Sequence, residues 1–390
     1  MTNHQKRTKR NGIEGRTEGI PNFTFKQAIQ LVVGFLLVFV VGAYLIEVVP
    51  SIFAFPVLVL MAVGMGFTVS YIQYGWKTEV NNFARDKGFE IIVDVSPRVF
   101  NKLEISYNDL TFFKEIGADG LRLDAGFTGN EEAMMTFNEH DLSIEINMSN
   151  NVHTIDTIMD YQPNAYKLYA CHNFYPHRYT GLGMDFFKET TARFSKYGLR
   201  TAAFITSQNE DTYGPWPVTD GLPTLEMHRD LPLDVQLKHY IAMNLVDDII
   251  ISNCFPSKEE FESLKDINPY MVTFDVVPHP EIPEVEEKIL FDMQHFNRGD
   301  VNDYAIRSTQ SRVIHKGHQF DLFNVPETIH RGDVVIESSE YGHYAGEMQI
   351  ATKDMKNSGK SNVVGRIREE EIFILDAIKP WQKFRLRRAK

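Results

Sequence analysis

The chain has 390 residues, enough for two domains of ordinary size plus an extra segment. A net charge of −12, with no basic face of interleaved aromatics, argues against nucleic-acid binding. Cys171 and Cys254 fit neither a zinc spacing nor a disulfide framework, and the thirteen histidines include no H-E-x-x-H helix, so no metal and no cofactor is expected.

Residues 1–26 carry Lys6, Arg7, Lys9, Arg10 and Arg16 among Gly and Asn, and read as a basic flexible tail. Residues 27–75 hold two apolar runs, Leu31–Ile46 and Ile52–Ile72, separated by Pro50-Ser51. With Ala28, Ile29, Val48 and Val49 the first reaches roughly 20 residues, the length of a bilayer core. A cleaved signal peptide has a much shorter apolar region. Buried helices of a globular domain would show a polar face. Two transmembrane helices in a hairpin are therefore expected. Basic residues flank the pair and are missing from its turn, Glu47–Ser51, so both ends are placed in the cytoplasm. The expected localisation is a membrane-anchored protein whose catalytic part, everything after residue 75, faces the cytoplasm.

From residue 76 to 268 a β/α rhythm is predicted. Its strands are Glu90–Ser96, Gly120–Gly126, Leu142–Asn147, Tyr166–Cys171, Leu199–Ile205 and Asp248–Ser252, and the helical stretches between them include Tyr107–Ile116 and Asp185–Tyr197. Such alternation implies a parallel sheet with right-handed crossovers, and so an α/β fold. Each predicted strand ends in polar residues: Asp94, Asp124, Asn147, His172 with Asn173, Thr206 with Ser207. In a barrel these ends converge on the carboxyl-terminal rim. Side chains alternate along a strand, so Arg122 shares a direction with Asp124, and Glu145 with Asn147. An Arg122–Glu145 structural ion pair is the bland reading of those two charges.

The stretch after the fourth strand packs His172, Asn173, Tyr175, His177, Arg178 and Tyr179 into eight residues, where a purely structural turn around Pro176 and Gly181 is the alternative. A long polar excursion, 208–229, brings Glu226, His228 and Arg229 together. Neither a glycine-rich nucleotide loop nor a G-x-S-x-G elbow occurs. Carboxylates, amides, imidazoles and arginines suit glycoside hydrolysis, in which two carboxyl groups flank the scissile bond. An isomerase or aldolase would want a placed lysine or metal. Residues 269–390 alternate in short stretches and read as a compact, mostly β domain.

Five ordered motifs carry a family resemblance: Val93–Phe100, Leu121–Asp124, Ile146–Asn150, Cys171–Pro176 with Tyr179–Leu182, and Gly221–Glu226 with His228-Arg229. Together they resemble the MupG-type 6-phospho-N-acetylmuramidases. The resemblance implies a TIM-like (β/α) barrel, a cyclophilin-like carboxyl-terminal domain, and hydrolysis of a phosphorylated amino-sugar disaccharide, 6-phospho-N-acetylmuramyl-N-acetylglucosamine, in peptidoglycan recycling. Members of the family begin with two β/α units where this chain has its apolar hairpin, so the barrel is expected to be incomplete, with six strands. Asp124 and Glu226 are the expected catalytic pair, with Glu145 next. Asp94, Asn147, His172, Asn173 and Tyr175 are expected to hold the sugar, and Arg178, His228 and Arg229 the phosphate. The competing expectation is a catalytically inactive, membrane-anchored binder of sugar phosphates.

Overall fold

The computed structural model describes residues 81–212 and 220–389. The expected basic tail, both expected membrane helices, and Tyr213–Pro217 of the long loop lie outside the described residues. Among the described residues no helix is long and apolar enough to cross a membrane. The expectation of a membrane-anchored protein is corrected accordingly. It rested on the length and hydropathy of 27–75 and on the basic residues flanking them, all outside the described residues.

Six strands form one sheet in plain sequential order: β1 (Ile92–Val95), β2 (Gly120–Leu123), β3 (Ser143–Asn147), β4 (Leu168–Cys171), β5 (Arg200–Ile205) and β6 (Asp248–Ile251). The β3–β4, β4–β5 and β5–β6 pairs are parallel, with Ile146 opposite Ala170 and Ala203 opposite Ile249. This is the order of a (β/α) barrel left open after six strands. The expected strands are all present, each shorter than expected by one to three residues at one end or both.

One compact unit comprises residues 81–122 with 137–143. It holds a helical stretch over 81–86, β1, α1 (Pro97–Leu103) and α2 (Thr111–Glu115). Proline at the first turn of α1 suits a position whose N–H needs no helical partner. Phe100 packs on Phe113 with ring centroids 5.5 Å apart. Arg85 bonds Asp119 at 3.0 Å and the Gly117 carbonyl, and Asp119 in turn accepts from the Ile91 N–H at 3.0 Å. Gly120 is required by close approach, since a Cβ there would lie 2.9 Å from the Ser143 carbonyl oxygen.

The second unit holds 123–136 and everything described from 144 onward. Its barrel helices are α3 (Asn130–Met135), α4 (Thr154–Asp160), α5 (Met184–Ser195), α6 (Leu233–Met243) and α7 (Lys258–Leu264). A capping box starts α7: Ser257 Oγ accepts from the Glu260 N–H, and Glu260 returns the bond. Asn244 ends α6 in the left-handed conformation.

The chain then enters a seven-stranded mixed sheet, β8-β15-β7-β14-β11-β12-β9. Its strands are β7 (Val272–Pro278), β8 (His295–Phe296), β9 (Ala305–Ser308), β11 (Asp333–Glu337), β12 (Met348–Ala351), β14 (Ser361–Ile367) and β15 (Lys383–Arg388), while β10 (Thr328–Ile329) pairs separately with β13 (Met355–Lys356). Only the β15–β7 pair among them is parallel. Phe274, Val276, Ile350, Val364 and Phe384 fill its core, which Val235 and Ala242 of α6 complete. Alternating β-branched residues with one inward face are what such a sheet needs.

Candidate active site

Two loops at the carboxyl-terminal strand ends are woven together. The Tyr175 N–H donates to the Pro223 carbonyl at 3.1 Å, and the Leu182 N–H to Thr224 at 2.8 Å. Thr224 Oγ1 donates to the Asn173 carbonyl at 2.8 Å. The knot of this weave is Glu226, on a short 3-10 turn (Glu226–His228). Its Oε1 accepts from the Tyr179 N–H and from Arg229 Nε, both at 2.7 Å. Its Oε2 accepts from the Gly181 N–H at 2.7 Å and from Arg229 Nη2 at 2.6 Å. The Arg229 guanidinium and these two backbone amides pull the Glu226 carboxyl down to about 2. A side chain at Gly181 would sit 2.6 Å from Glu226 Oε2, so glycine alone allows the approach.

Arg229 is equally committed. Its remaining donors go to the carbonyls of Asp220 (2.8 Å), Gly221 (3.1 Å) and His177 (3.3 Å), and the residue is 2% exposed. With five N–H groups, it has none left for a ligand. His228 is wholly buried, its Nε2 2.7 Å from His239 Nδ1 of α6. Desolvation, then the neighbouring imidazole, hold it well below the usual histidine range. His239 itself is pushed down to about 4, chiefly by burial. Glu226, His228 and Arg229, the residues expected to react or to bind phosphate, are thus all held by bonds within the chain.

His172 is also wholly buried. It bonds Thr191 at 2.9 Å and Ser149 at 3.3 Å, with its ring on Phe187. Ser149 Oγ accepts from the Asn173 N–H at 2.7 Å, which anchors the start of the rim loop. The other expected site residues stand as follows. Asp124 follows β2 directly and is exposed. The Asn147 amide at the end of β3 donates to the Asp124 carbonyl at 3.4 Å. Glu145 lies two residues before Asn147 on the same face, 7% exposed. Asn173 and Tyr175 are half-buried in the rim loop. Arg178 is half-buried and meets Asp230 at 2.7 and 3.1 Å and Asp220 at 3.6 Å. In the first unit Asp94 is exposed, 3.6 Å from Arg122.

Sequence reasoning passed over Ser149, Thr224, Asp230, Gln236 and Glu260. Glu260 accepts from Ser207 Oγ and the Gln208 N–H, both at 2.7 Å, while Gln236 bonds both the N–H and the carbonyl of Thr206. Ser149, inside the Ile146–Asn150 motif after β3, and Thr224, inside the Gly221–Glu226 run, carried a signal; Asp230, Gln236 and Glu260 lie outside the motifs.

Comparison with known proteins bears on this rim. Residues 75–266 match the family model described as 6-phospho-N-acetylmuramidase, N-terminal, and residues 272–387 match 6-phospho-N-acetylmuramidase, C-terminal. No curated protein matches. Among solved structures, one titled as an uncharacterized B. cereus protein is similar at 44% identity, covering 80% of this chain and 87% of that one, with a TM-score of 0.73. Another, a conserved Enterococcus faecalis protein of unknown function, is 27% identical over 81% of this chain and 85% of its own, with a TM-score of 0.60.

Proposed function

The chain belongs to the 6-phospho-N-acetylmuramidase family, and on that premise we propose that it hydrolyses 6-phospho-N-acetylmuramyl-N-acetylglucosamine in peptidoglycan recycling. In this reading residues 76–268 form the glycosidase domain and 269–390 the cyclophilin-like one. The observation that carries the assignment of roles is the contrast between Asp124 and Glu226. Asp124 is an exposed carboxyl at a strand end of the rim, where barrel enzymes keep their reacting groups. Glu226 is ionised, with four acceptor positions filled, so it cannot lend a proton and is poorly placed to attack carbon.

Asp124 is accordingly assigned as the acid/base that protonates the leaving glycosidic oxygen, and Glu145 as the second carboxyl, which would act on the anomeric carbon directly or through water. Asn147, Asn173 and Tyr175 would meet the hydroxyl and acetamido groups. Arg178 is the arginine of the set able to turn to a phosphate, exchanging Asp230 for two parallel bonds to the ligand. Glu226, Arg229, His172 and His228 are positioning residues.

The test is direct. The purified chain should release N-acetylglucosamine and phosphorylated muramic acid from the disaccharide. Asp124→Asn should lower kcat by roughly 10²–10⁴-fold at little changed KM. A wild-type chain without turnover, or an Asp124→Asn variant at full rate, defeats the reading.

A further inference from the structure

A cleft of about 820 Å³ opens beside the first residues of β6, at the opposite end of the strands from the rim. Tyr240 of α6, almost wholly buried, is part of its floor. Two aromatic side chains at its border are exposed: Tyr270 is 94% exposed and Trp381 61%. Exposed aromatics are ordinary when they stand singly. These two share one cleft, and Trp381 is displayed by a strained backbone.

Trp381 has φ +62°, a left-handed conformation that bulky side chains rarely adopt. Such outliers persist only where their surroundings over-determine them. Here the Trp381 N–H donates to the Asn297 carbonyl at 2.9 Å, and its own carbonyl accepts from Lys383 Nζ at 3.0 Å. The indole stacks on Phe296, centroids 5.9 Å apart at 24°. Gly299 yields the remaining space, since a Cβ there would come within 2.4 Å of the ring. The indole is therefore fixed in position with most of its surface in solvent, a preorganised platform that the core does not use.

The charges around this platform select its occupant. The ionisable side chains lining the cleft, other than tyrosines, are Asp247, Asp248, Lys379 and Lys383, two of each sign. Each is oriented by a partner: Asp248 by Arg200 at 2.6 Å, Asp247 by the Thr201 N–H at 2.8 Å, Lys379 by the Met243 carbonyl at 2.7 Å. A balanced field of this kind favours neither a polyanion nor a basic peptide. Aromatic faces combined with convergent donors and acceptors fit a neutral ring that is apolar on one face and hydroxylated at its edge. We propose that this cleft is a binding site for a neutral saccharide, separate from the rim and independent of the reaction assigned there. One pyranose face lies on Trp381, Tyr270 contacts a neighbouring unit, and the hydroxyl groups bond the carboxylates and ammonium groups.

The experiment titrates the full chain with N,N′,N″-triacetylchitotriose, read by calorimetry and by saturation-transfer NMR. Saturable binding with a Kd of roughly 0.1–1 mM is expected. Tyr270→Ala and Trp381→Ala should each weaken it at least tenfold, Trp381→Phe should restore most of it, and Asp124→Asn should leave it unchanged. Tyr270 is exposed enough to be replaced without disturbing the fold, so its variant decides the matter even if Trp381→Ala fails to fold. No saturable binding up to about 10 mM, undiminished binding by Tyr270→Ala, or binding lost in Asp124→Asn but kept in Tyr270→Ala overturns the proposal.

Discussion

Two networks of charge, both built partly on residues between Glu226 and Lys238, differ in what they hold together. At the rim, Glu226 and Arg229 form a pair whose other partners are backbone amides and carbonyls of the two loops. Further along, Lys238 of α6 is wholly buried among side-chain carboxylates, 2.6 Å from Glu371, 3.0 Å from Asp275 on β7 and 3.8 Å from Asp234. Arg368 bonds Asp234 at 2.9 Å, and Arg387 forks onto Asp275. The first network shapes loops at the candidate active site; the second ties a barrel helix to the mixed sheet. Asp234, Asp275 and Glu371 lie close enough to one another to hold a cation, and the Lys238 ammonium already serves as one. An ion pair that fixes backbone can be softened and leave a working fold. A buried lysine among carboxylates cannot be lost without leaving Glu371 to a more distant cation, Arg368 at 3.8 Å, and Asp234 and Asp275 to their arginines.

The largest effect should therefore come from Lys238→Met. It should destabilise the chain by about 3–5 kcal/mol in denaturant unfolding, because three buried carboxylates lose their ammonium. Adding Glu371→Leu should recover part of that loss, and an additive double variant would refute the coupling. Glu226→Gln should cost less, about 2 kcal/mol, since Glu226 is a quarter exposed and its loop can relax. Its effect on turnover should appear mostly in KM, and a kcat loss as large as that of Asp124→Asn would return Glu226 to the chemistry.

Acid sharpens the same contrast. The Glu226 carboxyl is lowered from an ordinary 4.5 to about 2, so its contribution is complete above about pH 4.5 and disappears as pH falls toward 2. Glu226→Gln should remove that part of the pH dependence of stability while leaving the rest; an unchanged profile would show that the clamp contributes nothing. The smallest effect expected is that of Gly181→Ala, about 1–2 kcal/mol, from a methyl group pressed on Glu226. Thermal unfolding measures it, and a neutral result would mean that the rim loop yields easily.

Sequence alone determined the strands and, to within a few residues, where each ends. Short stretches such as Leu142–Asn147 and Leu199–Ile205, alternating with helical ones, read as parallel strands, and their terminal polar residues then gather on one side. That reasoning put Asp124 and Asn147 at strand ends, where the structure has them. The family, too, was legible, because its motifs sit at those strand ends and in the rim loops. The membrane placement was argued from local hydropathy and flanking charge, and the described residues supply no spanning helix to support it. Tertiary structure decided which polar residues are spent on the fold. Glu226 reaches amides 45 and 47 residues away, Lys238 a carboxylate 133 residues away, and His172 a hydroxyl on a neighbouring helix. Hydrogen-bonding capacity is finite, and a side chain's partners are set by the packing of distant segments. The same residue types that announce a site in sequence therefore become its ligands or its struts only when the chain has closed around them.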